Sequence, residues 1–358
     1  MSNLKIAVIV GTRPEVIKVW PVIEEARRAG IEICLVSTNQ QEKLVNETFL
    51  SLGISPQIDL KIQNKTGNLN NFISECISKC QDILISFKPD FVIVQGDTAS
   101  ALSGAIAAHN LRIRIGHIEA GLRSGDMENP WPEEGYRRLI DSISSILWAP
   151  TSEVCIQTQA DQKLLVVGNT SIDALRMACA QVRDSDEQED TIVVTLHRRE
   201  SFGKALESTL KNIILLSQKI ENRILFIQHP NPNVQAAMDA VEFASSQIEI
   251  MGPVPYLEFI GILSQSALII SDSGGLQEEA TALEIPLLIV REKTERFEAV
   301  SLGGCIMVGN TGEKIVEESI KVLTKNREVK ESGILNSIFG DGHAAVKIID
   351  SLLSQNDA

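Results

Sequence analysis

Residues 268–279 read LIISDSGGLQEE, a hydrophobic strand that leads through Asp272 and Ser273 into Gly274 and Gly275 at the start of a helix. Free backbone N–H groups and the positive end of the helix dipole bind anions at such a point, and glycines let the anion approach closely. The spacing is not that of the Gly-x-Gly-x-x-Gly motif, so it does not predict a dinucleotide site. The stretch therefore predicts a strand–turn–helix unit that binds a phosphate group.

Strands and helices alternate in the same way along both halves of the chain. Apolar runs lie at 6–10, 91–94 and 113–118 in the first half and at 192–196 and 224–227 in the second, and polar loops follow them. This alternation is typical of parallel sheets covered by helices. The sequence therefore predicts an α/β fold with two Rossmann-like, doubly wound domains that face each other across a cleft.

The predicted domains span residues 1–168 and 169–342. A length of 358 residues agrees with two domains, since a domain usually comprises about 100–200 residues. The alternating pattern pauses at Gly168, and the charged run at 183–190 is typical of a linker. Residues 343–358 follow the second domain and are predicted to form an amphipathic helix that packs back on the first.

The composition excludes several classes of partner. The formal net charge of −14 at pH 7 disfavours binding to nucleic acid or to anionic membranes, because both require a basic surface. The apolar run at 6–10 is too short for a signal-peptide core, and no segment approaches the roughly 20 residues of a membrane span. The chain is therefore expected to be cytoplasmic.

The cysteines predict neither a metal site nor a disulfide framework. All six are scattered, without a Cys-x-x-Cys pair or a histidine at the spacing of a zinc ligand. Cys76 and Cys80 share one helix face and are expected to pack in the core.

In the first half, ionisable residues follow the strands, where open α/β sheets bind their ligands. Arg13 after the first strand could pair with a phosphate or lie on the surface of an ordinary turn. Asp97 could cap the next helix, and Glu133 could interact with a helix dipole. Glu119 ends an apolar strand, where a carboxylate is costly unless it has partners. These three carboxylates are candidate catalytic residues.

The second half carries cationic and imidazole groups at the corresponding strand ends. His197 and Arg198 follow one strand and His229 follows another, and each histidine has the alternative of an ordinary loop residue. Glu279 lies one turn beyond the glycine pair, where it could accept hydrogen bonds from ribose hydroxyls. Arg296 is a further candidate contact for a phosphate.

Ten motifs occur together in one order. They are GTRPE at 11–15, QGDT at 95–98, HIEAGLRSGD at 117–126, NPWPEE at 129–134, GNTSIDAL at 168–175, HRRESFG at 197–203, QHPNPNV at 228–234, DSGGLQEE at 272–279, TERFEAV at 294–300 and FGDG at 339–342. This set resembles the non-hydrolysing UDP-N-acetylglucosamine 2-epimerases of bacteria and archaea, relatives of the glycogen-phosphorylase-like glycosyltransferases with the GT-B fold.

The resemblance implies a homodimeric enzyme that needs no cofactor or metal. It assigns catalysis to Asp97, Glu119, Glu133 and His197. It assigns contacts with UDP and the substrate to a larger set: Arg13, Lys18, His197, Arg198, Phe259, Ser273, Gly274, Gly275, Glu279 and Arg296.

The implied reaction inverts C2 of UDP-N-acetylglucosamine to give UDP-N-acetylmannosamine for cell-envelope or capsule polysaccharides. No carbonyl acidifies the proton on C2, but departure of UDP places positive charge on C1 and the ring oxygen. A carboxylate can then remove the proton to give a 2-acetamidoglucal. Protonation on the opposite face and return of UDP invert the centre, while Arg13, His197 and the helix N-terminus hold the diphosphate.

The chain departs from the family pattern at several positions. Gln40 and Asn68 lie in changed segments that line a candidate second site, where the family's substrate activates the enzyme. Phe297 replaces a usual proline and Gln95 a frequent histidine, and either could reshape the sugar pocket. Three alternative functions are possible: a 2-epimerase of a modified UDP-N-acetyl sugar, a GT-B glycosyltransferase and a non-catalytic nucleotide-sugar sensor.

Overall fold

The computed structural model describes residues 4–62, 67–154, 158–182, 190–198, 201–229, 231–243, 248–294, 300, 304–325 and 339–356. The chain forms two compact units. One contains Met1–Met177 and Phe339–Ala358, and the other contains Ala178–Ile338.

The first unit is built on a seven-stranded parallel sheet with the strand order β3-β2-β1-β4-β5-β6-β7. Its elements are β1 (Lys5–Val10), α1 (Arg13–Arg28), β2 (Glu32–Ser37), α2 (Glu42–Ser51), β3 (Ile58–Asp59), α3 (Leu69–Phe87), β4 (Phe91–Gln95), α4 (Ala99–Asn110), β5 (Arg114–Ile118), α5 (Glu133–Ile143), β6 (Ile146–Ala149), β7 (Lys163–Val166) and α6 (Thr170–Cys179), which ends just past the unit boundary. The central strands β1 and β4 are buried almost throughout, which explains their continuous apolar sequences.

The second unit is built on a six-stranded parallel sheet with the order β10-β9-β8-β11-β12-β13. Its elements are β8 (Thr191–Thr195), α7 (Lys204–Ser217), β9 (Arg223–Ile227), α8 (Pro232–Ala240), β10 (Ile248–Met251), α9 (Tyr256–Ser264), β11 (Leu268–Ser271), α10 (Gly274–Ala282), β12 (Leu287–Ile289), β13 (Cys305–Met307) and α11 (Ile315–Lys325).

Both sheets are doubly wound, so the predicted α/β fold with two Rossmann-like sheets is confirmed. In each sheet the strand order reverses next to the first strand, between β1 and β4 and between β8 and β11. Ligands of such sheets bind at this topological switch point, beyond the carboxyl ends of the strands. The switch points therefore define where a site is to be sought in each unit.

The last helix, α12 (Ala344–Asn356), belongs to the first unit and packs against α1. Asp173 in α6 accepts hydrogen bonds from the backbone N–H groups of Ala344 and Ala345 at 3.1 and 2.8 Å. Trp148 in β6 donates from Nε1 to Ser351 Oγ at 2.9 Å. These bonds connect α6 and β6 with α12 within the first unit. The domain bounds at 168 and 342 stay a prediction.

Cys76 and Cys80 lie on one face of α3 with their sulfur atoms 3.9 Å apart, and both are buried in the core, as expected. Within the described ranges, no helix combines the length and the apolar character needed to cross a membrane.

Candidate active site

The loop that follows β1 is fixed by a buried carboxyl group, that of Glu15. Glu15 accepts hydrogen bonds from the N–H groups of Gly11 and Thr12, at 3.0 and 2.7 Å, and from the Thr98 hydroxyl at 2.6 Å. Because Thr98 follows β4, Glu15 ties together the two loops of the first switch point. Burial raises the pKa of Glu15 to about 7, although its hydrogen bonds act to lower the pKa.

Glu119 lies just after β5 in a left-handed conformation, with φ of 67°, which few residues other than glycine adopt. Its side chain is only 9% exposed. Lys18 donates to both carboxylate oxygens, at 2.6 and 2.7 Å, and Gln95 donates to Oε2. The Asn169 amide lies 3.5 Å from Oε1. These donors offset the cost of burying the carboxylate, and they place Lys18, a predicted UDP ligand, against Glu119.

Asp97 follows β4 at the same switch point, and its side chain remains 27% exposed. Arg137 of α5 donates to Asp97 Oδ2. Burial raises the pKa of Asp97; Arg137 lowers it, and the charges of Glu119 and Glu133 raise it, so the net shift is upward. The structure therefore brings together the three carboxylates that the sequence singled out.

The two glutamates that begin α5 have different environments. Glu134 is buried and accepts hydrogen bonds from Ser124 N–H at 3.0 Å and from Arg138 Nε at 2.8 Å. Burial acts to raise the pKa of Glu134, but Ser124, Arg138 and Arg137 together lower it. Glu134 thus has the contacts of a structural residue. Glu133 is half-buried, and its charge acts on Asp97.

Three more predicted residues of the first unit make contacts within their own unit. Arg13 begins α1, and its N–H donates to Gln41 Oε1 at 3.3 Å. Gln40 Oε1 accepts hydrogen bonds from the N–H and the hydroxyl of Ser100, at 3.1 and 2.7 Å. Asn68 caps α3 by accepting hydrogen bonds from two backbone N–H groups of its first turn. A second ligand site that uses Gln40 and Asn68 stays a prediction.

The switch point of the second unit contains a buried carboxylate that the sequence analysis missed. Asp272, directly after β11, accepts hydrogen bonds from the N–H groups of His197, at 3.1 and 3.0 Å, and of Arg198, at 2.9 Å. It thereby fixes the loop after β8, as Glu15 fixes the loop after β1. The signal was available, since an aspartate between an apolar strand and a glycine turn is buried and needs donors.

The two histidines of the second unit lie together. The His197 and His229 rings stack with centroids 5.4 Å apart. His197 Nδ1 lies 3.4 Å from Asp272 Oδ1. His229 Nδ1 accepts a hydrogen bond from Asn231 N–H at 3.3 Å, so the ring proton of a neutral His229 resides on Nε2. Imidazole groups therefore line the carboxyl ends of β8 and β9.

The predicted anion site has the expected local geometry. Ser273 is the N-cap of α10 and makes no side-chain capping hydrogen bond, and Gly274 and Gly275 begin the helix. A Cβ atom on Gly275 would meet no heavy atom within 4 Å among the described residues. Glu279, one turn on, accepts a hydrogen bond from the Tyr256 hydroxyl at 3.3 Å. The start of α10 is therefore open to an approaching anion.

Of the remaining predicted residues, Phe259 is half-buried on α9. Arg296 and Phe297 lie outside the described residues.

Two doubly wound sheets with ionisable groups gathered at both switch points place the chain among the two-domain α/β enzymes. A family model described as UDP-N-acetylglucosamine 2-epimerase matches residues 24–353. The chain belongs to the UDP-N-acetylglucosamine 2-epimerase family, as the order of its motifs predicted.

Individual relatives resemble the chain over nearly its whole length. The UDP-N-acetylglucosamine 2-epimerase of Escherichia coli strain K12 is 34% identical, with 98% of each chain covered. A crystal structure of the Neisseria meningitidis UDP-GlcNAc 2-epimerase bound to UDP-GlcNAc has a TM-score of 0.84 and 32% identity, covering 98% of this chain and 100% of that one. The Methanocaldococcus jannaschii enzyme in complex with UDP-GlcNAc and UDP has a TM-score of 0.81, the same identity and the same coverage.

Proposed function

We propose that this chain interconverts UDP-N-acetylglucosamine and UDP-N-acetylmannosamine by non-hydrolysing epimerisation at C2. The observation that carries the proposal is the carboxylate cluster of Asp97, Glu119 and Glu133 in the first unit. A protein that only bound a nucleotide sugar would not need three interacting carboxyl groups. Family membership and the UDP-GlcNAc complexes of relatives also support this substrate.

The proposed reaction has two tasks. The N-terminus of α10, with Ser273, Gly274 and Gly275, holds the diphosphate, and His197 of the same unit stabilises its charge as the C1–O bond breaks. The carboxylate cluster then removes the C2 proton from the oxocarbenium-like sugar and returns one to the opposite face. The raised pKa of Asp97 suits a group that must hold a proton, whereas Glu119, paired with the Lys18 ammonium, suits an ionised base.

The test is epimerisation of UDP-N-acetylglucosamine in heavy water, followed by NMR and mass spectrometry. We expect the manno epimer to form and deuterium to enter C2. Asp97→Asn should lower kcat by about 10²-fold or more, because a general acid–base group contributes roughly 10²–10⁴-fold. Glu128→Gln is the matched control, since Glu128 is an exposed carboxylate in the loop between β5 and α5. Absence of both the epimer and deuterium would overturn the proposal for this sugar.

A modified UDP-N-acetyl sugar is a second candidate substrate. Gln95, a residue that departs from the family pattern, donates a hydrogen bond to Glu119 and so alters a group proposed for catalysis. The heavy-water experiment on UDP-N-acetyl uronates distinguishes the two substrates. Release of UDP only after an acceptor is added would instead indicate a glycosyltransferase.

We also infer that the enzyme acts in the cytoplasm as a homodimer. The first inference follows from the proposed nucleotide-sugar substrate, and the second from the family resemblance alone. Sedimentation of the purified chain tests the dimer.

A further inference from the structure

His117 is a fully buried histidine of β5 that the chemistry above does not use. Its Nε2 lies 2.8 Å from the carbonyl oxygen of Gly96, and its Nδ1 lies 2.7 Å from Asp141 Oδ1. A carbonyl oxygen can only accept, so Nε2 carries a proton. Asp141 is paired on its other oxygen with Arg123 Nη1, at 2.7 Å, which favours the ionised carboxylate. Nδ1 therefore donates as well, and the ring is an imidazolium.

The pairing of Asp141 agrees with this charge state. Burial acts to raise the pKa of Asp141, but the hydrogen bond from His117 and the charges of His117 and Arg123 lower it below its usual value. A buried carboxylate flanked by two cations is stabilised by both, whereas a neutral His117 would leave it with one.

The hydrogen bond to Gly96 acts on the peptide that carries Asp97. Gly96 has φ of 68°, and its N–H donates to Ile118 O at 3.0 Å, so neighbouring residues of β5 hold the turn on both sides. Helix α5 anchors the same turn twice, because Asp141 holds His117 and Arg137 binds the Asp97 side chain. The position of Asp97 therefore depends on the contact between His117 and Gly96.

We propose that His117 is a positioning residue for the C2 proton transfer, whose imidazolium donates to the Gly96 carbonyl and fixes the peptide that carries Asp97. The proposal rests on the epimerase function proposed above. Misplacing a reacting group by about 1 Å can lower turnover by about 10²-fold, so the effect is measurable.

Two isosteric variants separate positioning from a purely structural ion pair. The side-chain amide nitrogen of Gln lies as many bonds from Cβ as His Nε2, so His117→Gln keeps a donor for Gly96. The amide nitrogen of Asn corresponds to Nδ1, so His117→Asn keeps a donor for Asp141 and loses the contact with Gly96. We expect kcat to fall by only a few-fold in H117Q and by about 10²-fold in H117N, with KM little changed in both. If kcat of H117N equals or exceeds kcat of H117Q, the proposal is overturned.

Hydrogen–deuterium exchange supplies a readout that does not depend on turnover. Amides of residues 96–98 should exchange faster in H117N than in the wild type and H117Q. Unchanged exchange in H117N overturns the proposal. If the wild type incorporates no deuterium at C2 of the sugar, the proposed function fails. The exchange of the backbone amides of residues 96–98 still decides whether His117 fixes the turn at Gly96. Should either His117 variant not fold, Asp141→Asn replaces it, because a neutral His117 can keep its proton on Nε2 for Gly96 while Nδ1 accepts from the new amide nitrogen. In D141N the amides of residues 96–98 must then exchange as in the wild type, and kcat must stay within a few-fold of the wild-type value. A loss of kcat of about 10²-fold overturns the proposal.

Discussion

Glu15 is a buried carboxyl group whose pKa lies well above that of an exposed glutamate. Burial raises the pKa to about 7 from the usual value of 4.5, against the effect of its hydrogen bonds. The folded chain therefore binds the proton more tightly than the unfolded chain does. The stability that this provides is complete below pH 4.5 and is lost as the pH rises through about 7.

Glu15→Gln should remove this pH dependence, because the amide does not titrate between these pH values. Between pH 4.5 and 7 the free energy of unfolding should rise for the variant relative to the wild type. The full change should be up to about 3 kcal/mol, since one pKa unit corresponds to about 1.4 kcal/mol. Urea unfolding of both proteins across this range measures the change, and Glu128→Gln serves as an exposed control. A constant difference between wild type and variant across the range would contradict the assignment.

The two switch points use different elements to make the same hydrogen bonds. In the first unit the carboxylate comes from α1, where Glu15 accepts from the N–H groups of Gly11 and Thr12. In the second it comes from the end of β11, where Asp272 accepts from the N–H groups of His197 and Arg198. Each loop connects the first strand of its sheet to the next helix, β1 to α1 in the first unit and β8 to α7 in the second. A carboxyl group that accepts from two successive N–H groups therefore fixes the backbone of each loop at the carboxyl ends of the strands.

Helix α10 offers a substitution that separates ligand binding from folding. Gly275→Ala adds a Cβ atom where no described heavy atom lies within 4 Å. The folded protein should keep its stability or gain up to about 1 kcal/mol, since alanine favours helices over glycine by about that amount. The methyl group should crowd a bound diphosphate, so the Kd for UDP should rise by about 10-fold or more. Calorimetric titration with UDP and thermal unfolding measure the two effects.

Gly304→Ala is the control for the α10 variant, because a Cβ atom on Gly304 would also meet no heavy atom of a described residue within 4 Å. Gly304 precedes β13, so it lies at the amino-terminal ends of the strands, whereas α10 begins at their carboxyl ends. The control should change neither UDP affinity nor stability appreciably. Equal UDP affinity in G275A and the wild type would place the diphosphate elsewhere.

The elements were predictable from the sequence where burial imposes a simple pattern. Fully buried strands such as β4 and β11 are continuous apolar runs, so their existence and the loops beyond them could be recognised. Strand order could not, because it depends on crossovers that leave no local pattern. The burial of Asp272 could be recognised from its position in the sequence, but its partners could not, because they lie 75 and 74 residues away in the chain. Glu133 and Glu134 are equivalent in sequence, and only the packing of α5 decides which is buried.

Across the whole molecule, the segment before α6 meets the segment before α12, although they are distant in sequence. Asn169 N–H donates to Phe339 O at 2.6 Å. Gly168 and Gly340 have φ of 101° and 121°, and a Cβ atom on Gly340 would lie 3.0 Å from the Gly168 Cα. Backbone atoms at this distance cannot move aside as a flexible side chain can. Glycine is therefore required here for both conformation and space, and the return of α12 to the first unit depends on it.

Gly340→Ala should destabilise the first unit more than an ordinary glycine substitution does. The matched control is Gly53→Ala, which also has positive φ, of 66°, but has no heavy atom of a described residue within 4 Å of the new Cβ. The control should cost roughly 1–2 kcal/mol for its left-handed conformation, and G340A should cost clearly more, because backbone contact adds to conformational strain. The three tryptophans, Trp20, Trp131 and Trp148, all lie in the first unit, so urea unfolding followed by tryptophan fluorescence reports on that unit. Equal losses in the two variants would show that the backbone of Gly168 yields to the added methyl group.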